Sequence, residues 1–234
     1  MNVKPKQNGF SLAEVLLAVC TLAIGMSFIG GTFLVAIHLS TVATERTIAA
    51  VVADEAFAKI RLYGVDPNLL TNEQQRIETL SLIPSEEFAY PSTKTTANRQ
   101  YYWSALCRKT SDELLQVTVF VSRKIGSSVY QSSAFQEGSE IPVPVKIVVS
   151  GVLNENLLTI AVPNQFSLIN NGYTIVTNLT GRLYRVLERD ADAPNMILLD
   201  RPWMESDSTV WVVPPPVGGG RYPCIAIYQK IIRF

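Results

Sequence analysis

The sequence predicts an α+β protein: a long N-terminal helix packed on antiparallel β-structure, with a small C-terminal β-barrel. Three observations predict it. Residues 10–39 are almost wholly apolar, and Glu14 is their only formal charge. Residues 40–63 continue without Pro or Gly and repeat apolar residues every four positions. Beyond residue 100 the chain breaks into short alternating runs separated by turn residues. A length of 234 residues fits one to two domains. The composition, 47% hydrophobic and 17% charged, excludes a disordered chain. Lys+Arg and Asp+Glu number 20 each, so there is no basic excess to neutralise phosphates and no nucleic-acid partner is expected.

The apolar run is long enough to cross a bilayer, which takes about twenty residues in a helix. Lys4 and Lys6 precede it with no acidic residue, and the positive-inside bias places that end in the cytoplasm. A cleaved secretory signal has an apolar core of only about 7–15 residues. A plain signal anchor fits the length but leaves Glu14 unexplained, because a carboxylate near the bilayer costs ~2.5–3.5 kcal/mol. Gly25, Gly30 and Gly31 each weaken the helix by about 1 kcal/mol relative to alanine. They serve either close helix packing or local stretching. Cys20 reads as a small hydrophobe, and His38, the only histidine, as an interfacial residue.

The stretch Gly9-Phe10-Ser11-Leu12-Ala13-Glu14 sits between the basic leader and the apolar run. It resembles the type III signal of type IV prepilins and pseudopilins, matching the pattern GF(S/T)LxE at every position. The resemblance implies that residues 1–9 are a leader, cut after Gly9 by a prepilin peptidase, and that Phe10 becomes a methylated N-terminus. It implies that residues 10–39 are the membrane and assembly half of the helix. It also supplies a partner for Glu14, the free N-terminal amine of a neighbouring subunit. In an apolar filament core such a pair is worth far more than in water. The implied partners are the peptidase, other pilin or pseudopilin subunits, the inner-membrane assembly platform and membrane lipid, with no cofactor. The implied location is a bacterial inner membrane, single-pass, with the head in the periplasm. The pattern covers only the first forty or so residues, so it speaks for the class and not for the head.

In residues 40–63, Ile48, Val52, Ala56 and Ile60 form a stripe, with Glu45, Arg46, Asp54, Lys59 and Arg61 mostly off it. This is an amphipathic helix, stopped by Gly64 with Pro67 beyond. Both halves together predict one helix of about 54 residues, roughly 80 Å. Residues 66–98 read as loop with a short helix near Asn72–Leu80. Tyr101–Lys124 reads as a β-hairpin, with Trp103, Ala105 and Cys107 alternating on one strand and Val117, Val119 and Val121 on the other. A helix followed by such a hairpin is similar to the head of minor pseudopilins related to the type II secretion I component, which makes 40–140 a pilin-like head. Pro142 and Pro144 mark a break. Seven short runs follow, Lys146–Val152, Leu157–Val162, Tyr173–Thr177, Arg182–Glu188, Met196–Leu199, Thr209–Val213 and Ile225–Phe234. They predict an all-β subdomain over 141–234, with an SH3-like barrel over 165–234.

Catalytic chemistry is not expected. His38 alone cannot build a Ser-His-Asp or Cys-His arrangement in the head, and no HExxH, CxxC, P-loop or GxGxxG occurs. Asp190, Asp192, Asn195 and Asp200 are rich in oxygen but match no calcium loop, so a solvated turn and no metal are expected. Cys107 and Cys224 are candidates for a disulfide joining the hairpin to the barrel, or else two separate buried thiols. Pro214-Pro215-Pro216 and Gly218-Gly219-Gly220 read as a long hairpin connection; contact with a partner through Trp211, Arg221 and Tyr222 is the alternative. Trp203 and Tyr184 serve either core or contact.

The expected function is assembly: a minor pilin or pseudopilin of a type IV pilus or type II secretion pseudopilus, at or near its tip. Two alternatives stand beside it. One is a membrane-anchored binding module with an extracytoplasmic β-domain. The other is a competence-type pseudopilin for DNA uptake, ranked lower because only Arg108-Lys109 and Arg123-Lys124 are adjacent basic pairs beyond Arg99.

Overall fold

The computed structural model describes residues 11–92, 100–111, 113–124, 129–130, 141–190 and 192–233. The chain divides into two compact units, Met1–Glu45 and Arg46–Phe234. Helix α1, Leu12–Tyr63, has 52 residues and contributes to both.

In the first unit every described residue up to Thr41 is exposed. Leu16, Leu22, Ile29 and Phe33 cover no core of this chain. The most apolar 18-residue window has a mean hydropathy of 2.2, so this one N-terminal helix is long and apolar enough to cross a membrane. The hydroxyls of Thr21, Ser27, Thr32, Thr41 and Thr44 donate to carbonyls three or four residues back at 2.8–3.0 Å. Each is thereby satisfied within its own helix, which an environment without water demands.

From Arg46 the helix becomes one-sided. Val52, Ala56 and Ile60 of the expected stripe are fully buried, joined by Ala49, Ala53 and Phe57. Gly64 ends it in the left-handed region at φ +72°, its N–H donating to the Ile60 carbonyl at 3.0 Å. Only a residue without Cβ takes that conformation freely.

Among the described residues eleven strands follow. They are β1 (Gln75–Arg76), β2 (Ala89–Tyr90), β3 (Tyr101–Ser111), β4 (Leu114–Arg123), β5 (Val145–Gly151), β6 (Leu157–Ile160), β7 (Thr174–Thr177), β8 (Leu183–Arg189), β9 (Met196–Leu199), β10 (Thr209–Val212) and β11 (Cys224–Arg233). The first sheet has the order β1-β3-β4-β11, with β2 also on β3, and all its pairs are antiparallel. The expected hairpin is β3–β4. Alternation sends Trp103, Ala105, Cys107, Val117, Val119 and Val121 to the face that buries α1. Lys59 ties the helix down, its Nζ lying 2.6 Å from Glu55 and 2.8 Å from Glu87. The Trp103 indole donates to the Glu87 carbonyl at 2.8 Å.

Strands β5 to β10 close a six-stranded barrel in the ring order β10-β5-β6-β9-β8-β7. Its core holds Ile147, Leu158, Ile160, Ile175, Tyr184 and Trp203. Closure leaves no strand edge unpaired. Two expectations change here. The barrel starts at Val145 and not near residue 165, and it uses six strands. The last run does not join it: β11 returns to the first sheet and pairs with β4 from Ser122 to Leu114. The barrel is therefore inserted between β4 and β11. An alternating apolar run has no mark of which sheet it will complete, and the apolar β4 would otherwise be left with an open edge. The helix expected near Asn72–Leu80 is also absent. The segment forms β1 and a single 3-10 turn, Ile77–Thr79, because β3 captures the backbone of Gln75 and Arg76.

The barrel docks on the face of the sheet opposite α1. Leu106 and Phe120 from the sheet cluster with Val176, Trp211 and Val213, and Leu183, Tyr222 and Ile227 pack around them.

Candidate functional site

Among the described residues, polar side chains gather at the start of α1 and at the junction of sheet and barrel. Gly9, Phe10, Lys4 and Lys6 lie outside the described residues. Glu14 lies inside them and is exposed. Its Oε2 accepts the Ser11 N–H at 3.1 Å, and its own N–H lies 3.2 Å from the Ser11 Oγ. This is a reciprocal cap, which satisfies two of the orphan donors at a helix start. Sequence reasoning missed it, although Ser-x-x-Glu before an apolar run is its signature. Glu14 thus has a local partner within its own chain before any neighbour is considered.

The second place is the junction of sheet and barrel, where a polar network surrounds the turn between β7 and β8. Asn178 is its hub. Its Nδ2 donates to Glu73 Oε2 at 2.8 Å, its Oδ1 accepts the Trp211 indole at 2.9 Å, and its carbonyl accepts the Gln74 N–H at 2.9 Å. Lys146 lies 3.2 Å from Glu73 Oε2. The Asn178 bond, then Lys146, hold the Glu73 carboxyl below the usual range. Arg108 donates Nη1 to the Leu179 carbonyl at 2.7 Å and Nε to Gln116 Oε1. Gln229 bridges the Gly181 carbonyl at 2.6 Å and Thr118 Oγ1 at 3.0 Å.

Two buried carboxylates complete the junction. Glu205 accepts from Thr180 Oγ1 at 2.8 Å and lies 3.3 Å from Arg182 Nη1. Asp207 takes the Leu179 N–H on both oxygens, at 3.0 and 2.8 Å. Burial pushes the Asp207 carboxyl up, the Leu179 bond opposes this, and the nearby Glu205 charge adds to the rise. None of this was expected from sequence. The Asn178–Gly181 stretch read only as a turn, and its partner Glu73 is 105 residues away.

Of the two readings of the head cysteines, separate thiols fit the structure. Cys107 and Cys224 are both free. Cys107 faces α1, and Cys224 lies on the opposite, barrel-facing side of the sheet. The register sets Cys107 opposite Val117 and Cys224 opposite Ser122, two strands across. Five residues along and two strands across is about 19 Å, far beyond the ~4.4–6.8 Å that a disulfide spans. Burial raises both thiols, that of Cys224 to about 12, so neither ionises near neutral pH.

The oxygen-rich loop forms a turn. Asp190 Oδ1 accepts the Asp192 N–H at 2.9 Å and the Ala193 N–H at 3.3 Å, and Asp200 accepts the Arg185 N–H at 2.9 Å. Among the described residues no group of three His, Cys, Asp or Glu is placed to hold a metal. Trp203 and Tyr184 belong to the barrel core. In the Pro/Gly loop region, Tyr222 stacks on Tyr173 with ring centroids 3.9 Å apart.

No protein-family model matches the chain, and neither a curated protein nor a solved structure does.

Proposed function

We propose that this chain is a pilin-like assembly subunit, a minor pilin or pseudopilin of a type IV pilus or type II secretion pseudopilus, placed at or near the tip. One observation carries the reading. The motif Gly9-Phe10-Ser11-Leu12-Ala13-Glu14 runs into an apolar stretch, residues 10–39, whose only formal charge is Glu14. Within one chain Glu14 serves as the reciprocal cap of Ser11, and the pilin reading gives its charge a second use, in pairing between assembling stems. A prepilin peptidase cuts after Gly9 and methylates Phe10. The apolar half of α1 rests in the inner membrane with the head in the periplasm, then packs among neighbouring stems. Glu14 there trades the Ser11 N–H for the amine of a neighbour. The chain has a structural role and is the peptidase's substrate; it is not itself an enzyme.

The experiment has two parts. Mass spectrometry of the protein from its native membrane is expected to find a peptide starting at Phe10 with one added methyl. A start at Met1 supports the anchored binding module instead. In the second part, Glu14→Gln keeps the helix cap, since glutamine also serves at that position, but removes the charge. Leaving the neighbour's amine unpaired costs about 3–5 kcal/mol, so this variant is expected to be processed at Gly9 yet excluded from filaments. Normal incorporation of Glu14→Gln refutes the pairing.

A further inference from the structure

The barrel has two apolar outer walls, and among the described residues only one of them packs against another part of the chain. In the ring order, β7 and β10 lie side by side, and β6 and β9 lie opposite them. The β7–β10 wall carries Val176 and Trp211, which are buried against the first sheet. On the opposite wall, alternation turns Leu157 and Thr159 of β6 and Met196 and Leu198 of β9 outward, because Leu158, Ile160, Ile197 and Leu199 fill the core. Leu157 pairs with Leu198, and Leu198 pairs in turn with Glu188 of β8. The register shift between Val186 and Glu188 leaves Leu187 beside them, 51% exposed. A groove of about 390 Å³ runs between Leu157, Met196 and Leu198, with Glu188 and Asp190 along one rim.

We propose that the β6–β9–β8 wall docks a partner protein that presents an aliphatic side chain beside a lysine or arginine. An outer barrel wall with leucine and methionine where water should lie marks an interaction surface. The rim sets the sign of the partner's charge. Among the described residues no cation pairs with Glu188, and the Asp190 Oδ2 lies outside the turn that Oδ1 caps. The barrel is closed, so the partner cannot add a strand to an edge and must engage through side chains. The groove volume suits one or two side chains and not a whole helix. The inference does not depend on the pilin reading of the stem.

The test uses the full chain in phosphatidylcholine nanodiscs, with empty discs as the blank. Two fluorescein-labelled octapeptides serve as probes, one alternating leucine with lysine and one alternating leucine with glutamate. Fluorescence anisotropy is expected to show the lysine peptide binding about tenfold tighter, from two rim charges. Glu188→Lys combined with Asp190→Asn keeps the Asp190 turn and is expected to abolish that preference. Leu198→Ser is expected to weaken both peptides about tenfold through lost apolar contact. Equal affinity for the two peptides, or undiminished binding by Leu198→Ser, overturns the proposal. So does self-association of the loaded discs that Leu198→Ser removes without any peptide binding, which would assign the wall to a second copy of the chain.

Discussion

Replacing Gly181 with alanine tests how tightly the barrel is held to the sheet, because Gly172→Ala supplies an internal control. Both glycines occupy the left-handed region, at φ +71° and +82°. Each alanine therefore incurs the same conformational cost, about 1–2 kcal/mol, and the same restriction of the unfolded chain. The surroundings differ. A Cβ at Gly172 meets nothing within 4 Å, whereas a Cβ at Gly181 lies 2.7 Å from Gln116 Oε1 and 2.7 Å from Gln74 Nε2. Gln116 must then move, and it holds the Arg108 Nε. A hydrogen bond to a charged group contributes about 1.5–3 kcal/mol, discounted here because Arg108 is half-exposed. We expect Gly172→Ala to cost about 1–2 kcal/mol and Gly181→Ala about 1–2 kcal/mol more. The assay is urea unfolding followed by tryptophan fluorescence, and all three tryptophans, Trp103, Trp203 and Trp211, lie in the Arg46–Phe234 unit. At a slope of about 2 kcal/mol/M, the gap corresponds to ~0.5–1 M in midpoint. Equal midpoints for the two variants would mean that the junction yields freely and that the described packing of sheet and barrel does not restrain it.

Four further outcomes are expected. Cys107 and Cys224 should resist iodoacetamide at pH 8 in the folded protein and react fully in urea, as read by mass spectrometry; a disulfide-linked peptide containing both would contradict the register of β3, β4 and β11. Asp207→Asn should change the pH dependence of stability in a set direction. The folded-state pKa of Asp207 is raised, so folding binds a proton above the unfolded value near 4 and stability falls as pH rises through the folded value. Thermal melts should therefore show the asparagine variant gaining on the wild type as pH increases through that window, and a constant difference would refute the burial argument. Trp203→Ala should destabilise the barrel by about 3–5 kcal/mol, because the ring is fully buried. Its Cδ1 lies only 2.7 Å from where a Cβ on Gly151 would stand, so Gly151→Ala should weaken the same core in the same denaturant assay.

Local chemistry explains which features were readable in advance. The helix was legible because a continuous apolar run and a four-residue stripe each report on neighbours within one turn. Its end at Gly64 was legible because only a residue without Cβ relaxes there. The seven runs after Pro144 were legible as strands, since alternation and turn residues such as Gly172 and Gly181 are likewise local signals. Glu14 was singled out because an isolated charge in an apolar run is conspicuous, yet its cap from Ser11 went unread although it is just as local.

The sequence by itself determined that an apolar helix begins the chain, that a β-hairpin follows it, and where most strands start and stop. These are matters of periodicity and turn chemistry, which operate over a few residues. Only the tertiary structure decided which strands meet. It sent β11 back to β4 past the whole barrel, separated Cys107 from Cys224 onto opposite faces, brought Glu73 to Asn178, and left Leu157 and Leu198 facing outward. The strand and side-chain pairings among those outcomes reach across more than a hundred residues. The loop entropy of such a contact grows only slowly with length, so no local pattern in the chain marks one distant partner over another.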